Sequence, residues 1–159
     1  MKIFSWNVNS IKARNAHVQR YLKESAPDVL MIQELKGENF PAEDFTALGY
    51  DSAAVTQKAY NGVAVLSRQP ITVILDALPG GDGETHARYL EVEIAGQRLI
   101  NIYAPNGNPV FSTSPTSSSR RRPGSSDSTD KDPGLRRDDE FEWDEKFTYK
   151  LSWLARLKE

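Results

Sequence analysis

The chain has 159 residues, the usual size of one domain, and its 38% hydrophobic content is low for a chain that packs along its whole length. A formal net charge of -2 gives no global polyanion-binding surface, so any nucleic-acid contact has to come from local groups. The lack of cysteine excludes disulfides, thiolate zinc sites and cysteine nucleophiles, and neither a leader-like start nor an apolar run of roughly 20 residues is present, which reads as a cytoplasmic protein with no membrane partner.

Residues 2–6 form a short β-prone run that ends in the polar stretch 7–10. Residues 11–23 follow as a helix, with Ile11, Val18, Tyr21 and Leu22 on one side and Lys12, Arg14, Gln19 and Lys23 off it. Pro27 stops that helix, because the residue before a proline avoids helical geometry. Residues 29–32 are a second apolar strand ending at Gln33 and Glu34. Strand, helix, strand makes a βαβ unit, so the two strands run parallel and their carboxyl ends share one edge of the sheet. Asn7 and Glu34 sit on that edge, where α/β proteins tend to bind ligands.

Short strands come next, at residues 50–55, 62–67, 71–75, 88–94 and 98–103. The last two flank Ala95-Gly96-Gln97 as a hairpin turn, and Leu90, Val92 and Ile94 alternate with Glu91 and Glu93 as in a half-solvated strand. Mixed strand directions with few helices indicate a layered α/β sandwich. Residues 111–144 differ in character: serine-rich, with Arg120, Arg121 and Arg122 in a row, three prolines and an acidic end. Such a stretch buries too little surface to offset its ordering entropy, so disorder is expected. From residue 145 a helix is expected, with Phe147, Leu151, Leu154 and Leu157 as its apolar face and Trp153 beside them.

Chemistry-bearing residues cluster at strand ends. Glu34 is a hard oxygen donor of the kind magnesium takes, and Asn7 could orient the metal or support the carboxylate. The same pair also reads as a solvated strand terminus and a turn former. Tyr103 and Asn106 stand where a strand runs into a turn-rich loop, and could reach phosphate oxygens or simply build the turn. Asn61, before Gly62, reads as a hairpin turn or as backbone close to a ligand, and Arg88 as a surface cation or a phosphate contact. Of the two histidines, His17 on the first helix reads as exposed or capping and His86 in the polar loop before Arg88 as solvent-facing.

Taken in order, FSWNVNSIKAR, PDVLMIQELK, NGVAVLSR, ARYLEVEI and INIYAPNGNP resemble the exonuclease III and apurinic-apyrimidinic endonuclease branch of the endonuclease/exonuclease/phosphatase superfamily. The resemblance runs through residues 1–110 and returns at EKFTYKLSWLARL, residues 145–157. It implies a partial four-layer αββα sandwich with the C-terminal half absent. It also implies 3' to 5' exonuclease and abasic-site cleavage of double-stranded DNA in base excision repair. Under it, Asn7 and Glu34 are similar to metal-binding residues for Mg2+, with Mn2+ as substitute. Tyr103 looks like an active-site tyrosine, and Arg88, Asn106 and Asn61 like DNA-binding positions.

The departures are two. Residues 111–144 interrupt the family pattern between the Asn-Gly-Asn-Pro loop and the next helix, and so read as an insertion between a nuclease half-domain at 1–110 and its helix at 145–159. Neither the Gly-Asp-x-Asn motif nor the Ser-Asp-His motif of the family occurs, which implies a catalytically incomplete chain. Two other readings stay open: a phosphodiesterase of the superfamily acting on another phosphate ester, and a non-catalytic protein whose flexible Arg-rich segment binds nucleic acid or a partner.

Overall fold

The computed structural model describes residues 1–81, 86–106 and 145–158. The expected disorder and insertion at 111–144 lie outside the described residues.

The βαβ unit forms as expected: β1 (Ile3–Asn7), α1 (Ile11–Ser25) and β2 (Val29–Gln33), with Ile3 paired to Val29 and Asn7 to Gln33 in parallel. Ser10 caps α1 through its hydroxyl, which accepts from the Ala13 amide at 3.4 Å, and Ile11, Val18 and Leu22 are buried beneath the helix. The helix continues past the expected end at Lys23 to Ser25. Pro27 restricts only its immediate neighbour, Ala26, which takes the left-handed conformation (φ 43°) and bonds back to the Leu22 carbonyl.

A four-stranded sheet results, in the order β1-β2-β4-β3, from β3 (Asp51–Val55) and the fully buried β4 (Val63–Ser67). A second sheet has the order β5-β6-β7, from β5 (Thr72–Leu75), β6 (Tyr89–Ile94) and β7 (Gln97–Ile102). Alternation splits the first sheet's residues between two cores. Leu30, Ile32, Ala64 and Leu66 face α1 and a five-residue helix, α2 (Ala42–Thr46), which brings in Phe45. Val29, Val63 and Val65 face Leu90, Val92 and Ile94 of the second sheet. The layers are therefore helix, sheet, sheet. Helix α2 was not read from the sequence, since five residues are too few to establish a period.

The second sheet covers the inner face of β2 and β4. The edge strand β1 stays more open, with Ile3 42% exposed. The hairpin turn uses Ala95 and Gly96, both with positive φ (52° and 74°), while Gln97 already pairs with Ile94.

Glu91 departs from the half-solvated reading. It is buried because it accepts a hydrogen bond from the Tyr89 hydroxyl at 3.0 Å and pairs with Arg98 across the hairpin. Burial, then the Glu91 carboxylate, pushes the Tyr89 phenol up to about 12. Between pH 10.0 and about 12 the folded chain keeps a proton that the unfolded chain has released. The stability contributed is thus whole below that window and lost across it. Tyr89→Phe is expected to remove this part of the alkaline loss, as read by urea unfolding on either side of the window.

Helix α3 (Glu145–Arg156) is present, but its anchor differs from the expected stripe. Trp153 is buried, whereas Leu151 and Leu157 are exposed. The Tyr149 hydroxyl meets His86 Nδ1 at 3.0 Å, so His86, although exposed, has a partner that the solvent-facing reading did not foresee. No helix among the described residues is long and apolar enough to cross a membrane.

Candidate active site

Parallel pairing of β1 and β2 puts Asn7, the last residue of β1, beside Glu34, the first residue beyond β2. Glu34 and Lys36 both adopt left-handed backbone (φ 60° and 53°), a conformation that costs a side-chain-bearing residue about 1–2 kcal/mol. Bonds on both sides hold it. The Ser10 amide donates to the Glu34 carbonyl at 2.8 Å, and the Leu35 and Lys36 amides donate to the Gly62 and Asn61 carbonyls at 3.2 and 2.9 Å.

Three side chains converge on one carboxylate. Glu34 Oε1 accepts from Asn7 Nδ2 at 2.7 Å and from the Tyr103 hydroxyl at 3.0 Å, and Oε2 lies 3.1 Å from Lys36 Nζ. Lys36 Nζ also donates to Asn9 Oδ1, while Asn7 Oδ1 accepts from the Asn9 amide at 3.1 Å. The Asn7 amide is the largest cause holding the Glu34 carboxyl below its ordinary range. Partial burial opposes it, and Lys36 and Tyr103 add to it. Burial and then the Glu34 carboxylate push the Tyr103 phenol up. At neutral pH the site thus pairs a charged carboxylate with a protonated phenol donor.

Arg88 closes the other side. Its Nη1 donates to the Tyr103 carbonyl at 3.2 Å and its guanidinium lies 4.9 Å from the centre of the Tyr103 ring, while its Nε is buried and has no hydrogen-bond partner among the described residues.

The donor set on Glu34 and Asn7 is one carboxylate and one amide oxygen, and among the described residues no group of three His, Cys, Asp or Glu could hold a metal. That composition fits magnesium, which keeps several waters and takes one or two carboxylates, better than a four-ligand zinc site. Lys36 already rests against Oε2, so an entering cation has to share the carboxylate with it.

The remaining expected positions are placed unequally. Asn106 is exposed in the loop after β7. Asn61 is buried, takes the left-handed conformation (φ 60°), and donates to Gln57 Oε1 at 3.1 Å; that same oxygen accepts the Ala87 amide at 2.7 Å. Its side chain therefore braces the loop instead of facing solvent. His17 is exposed on α1, apart from the carboxylate. Sequence reading missed the role of Lys36. Its only signal was the ELK wording, because two left-handed residues bring it back to Glu34.

Gly62 shapes the same rim. It has φ +92°, and an added Cβ would lie 2.7 Å from Leu35 Cβ. Gly62→Ala is expected to destabilise by about 1–3 kcal/mol, with the urea midpoint as readout and an unchanged midpoint as the contrary result.

Residues 4–150 match the model of the endonuclease/exonuclease/phosphatase family. Over 113 residues the chain is 34% identical to exodeoxyribonuclease III of Haemophilus influenzae, a match covering 67% of this chain and 42% of that protein. An exodeoxyribonuclease of Bacillus subtilis is 30% identical over 112 residues, covering 67% of this chain and 43% of the relative. Among solved structures, a 3' phosphatase from Neisseria bound to a product DNA hairpin aligns over 99% of this chain and 49% of its own, with TM-score 0.75 and 31% identity. An AP endonuclease from Archaeoglobus fulgidus aligns over 99% and 49%, with TM-score 0.72 and 33% identity. The chain thus spans less than half the length of these relatives.

Proposed function

Because this chain belongs to the endonuclease/exonuclease/phosphatase family, we propose that it is built for magnesium-dependent hydrolysis of DNA phosphodiesters, on duplexes with abasic sites or 3' ends, in DNA repair. The observation that carries this reading is the meeting of Asn7 and Tyr103, from two different sheets, on the single oxygen Oε1 of Glu34. Exodeoxyribonucleases and a DNA-bound phosphatase among the similar proteins support DNA over lipid or inositol phosphates.

Each residue then has a role. Glu34 and Asn7 hold the cation, which when bound stabilises negative charge on phosphoryl oxygens; manganese can replace magnesium. The Asn7 amide orients the carboxylate. The Tyr103 hydroxyl, kept protonated by its surroundings, donates toward Glu34 and would lie beside a bound phosphate. Arg88, beside the Tyr103 ring, and Asn106, in the adjoining loop, contact phosphate oxygens of the DNA backbone. The Gly-Asp-x-Asn and Ser-Asp-His motifs, to which the resemblance assigns further catalytic residues, do not occur in residues 1–159. In this reading the polypeptide therefore binds metal and DNA but incises DNA slowly or not at all.

The test presents purified protein, with and without Mg2+, with duplex DNA carrying one abasic site and, separately, with inositol phosphates. Magnesium-enhanced duplex binding with little incision is expected. Robust incision overturns the incompleteness. Preferential action on inositol phosphates overturns the substrate, and metal-independent binding that follows the Arg-rich segment favours the non-catalytic reading.

A further inference from the structure

One residue layer below the rim, a polar strut crosses between the two sheets. Gln33, on β2, donates from Nε2 to Ser5 Oγ on β1 at 3.0 Å and to Asn101 Oδ1 on β7 at 2.7 Å. Asn101, 1% exposed, donates from Nδ2 to the Ile32 and Ala64 carbonyls at 3.0 and 2.8 Å, reaching back into the first sheet. All four amide protons of the two side chains are used.

The strut lines up with the site strand by strand. Ser5 lies two residues before Asn7, and Asn101 two before Tyr103, so each shares its partner's side of the strand. Gln33 immediately precedes Glu34. Apolar residues could fill the same space between the sheets, but they impose no direction, whereas these bonds are satisfied in one relative placement of β2 and β7. Tyr103 has to cross that boundary to reach Glu34, so its hydroxyl is only as well placed as the two sheets are.

The geometry points to Gln33 and Asn101 as positioning residues that set Tyr103 and Asn7 against the Glu34 carboxylate. The inference rests on the proposed role of Glu34 in holding the cation, yet its main readout needs neither metal nor DNA.

Replacing both amides together, as Gln33→Leu with Asn101→Leu, leaves no half of the pair stranded, and the fold is expected to survive. Fluorine NMR of fluorotyrosine-labelled protein, with the Tyr103 signal assigned by Tyr103→Phe, then reports its contact with Glu34 at fixed pH. In the double variant that signal is expected to move to its position in Glu34→Gln, with the other tyrosine signals unchanged. Mn2+ affinity, read by electron paramagnetic resonance, is expected to fall about 10-fold. A folded double variant with the wild-type Tyr103 signal overturns the inference, since the strut is then merely structural. If Mn2+ binds wild type and Glu34→Gln alike, the metal reading fails, while the tyrosine signal still decides the positioning role. Should the double variant not fold, Ser5→Ala at its exposed site is expected to shift the Asn7 side-chain amide resonance; an unshifted resonance overturns the inference.

Discussion

Glu34→Gln is expected to weaken Mn2+ or Mg2+ binding at least ~100-fold, beyond the ~10–100-fold typical of losing a group that only supports a metal ligand. The change keeps the shape of the side chain and removes its charge, so the loss reports the carboxylate and not the packing. It also reverses hydrogen-bond logic at the rim. Asn7 Nδ2 and the Tyr103 hydroxyl both donate to Oε1, and an amide nitrogen placed there would face two donors.

The pH dependence adds a second signature. The folded carboxyl titrates below its ordinary value of 4.5. Its contribution to stability is therefore present above 4.5 and lost as pH falls through the lower folded value. Wild type is expected to show this acid-side loss and Glu34→Gln to lack it. Mn2+ titration by electron paramagnetic resonance at neutral pH, with urea unfolding followed down through the acid range, checks both. Equal Mn2+ affinity in the two proteins would falsify the assignment of Glu34 as the cation's ligand.

The second large effect concerns α3. Trp153→Ala is expected to cost about 3–5 kcal/mol, the range for truncating a buried aromatic residue. For a chain of this length that corresponds to a fall of roughly 6–20 °C in Tm. Trp153 is 1% exposed and, with Ala77, Leu78, His86, Arg88 and Tyr89, lines a gap of only about 10 Å³. Removing the ring opens a cavity whose cost adds to the lost transfer free energy. Arg88 belongs to that lining, so loosening α3 also loosens the cation beside Tyr103. Leu151→Ala is the control: at 51% exposure it is expected to change stability by less than ~0.5 kcal/mol. Comparable losses in the two variants would restore Leu151 to the docking face and remove Trp153 as the anchor.

Much of the first sheet was legible because its signals are local. The apolar run of β2 and the periodicity of α1, like the Ala-Gly turn between β6 and β7 in the second sheet, are properties of neighbouring residues, and all three elements form, α1 two residues longer than expected and the turn without Gln97. Even the meeting of Asn7 and Glu34 could be foreseen, since a βαβ connection constrains two strand ends to one edge. The apolar stripe of α3 was also readable. Which residue of it would be buried was not, because helical spacing identifies a face while the partner surface selects the anchor.

By itself, then, the amino-acid sequence determined the order and type of most elements and the shared edge of Asn7 and Glu34, through chain-local periodicity and the handedness of one connection. Only the tertiary structure decided that Tyr103 meets a carboxylate 69 residues away in sequence, that Lys36 folds back onto it and that Glu91 is buried. The first depends on how the second sheet seats on the first, the second on left-handed backbone held by distant carbonyls, and the third on Tyr89 and Arg98 meeting Glu91 within the hairpin. Such long-range packing and hydrogen bonding leave no periodic trace in the chain.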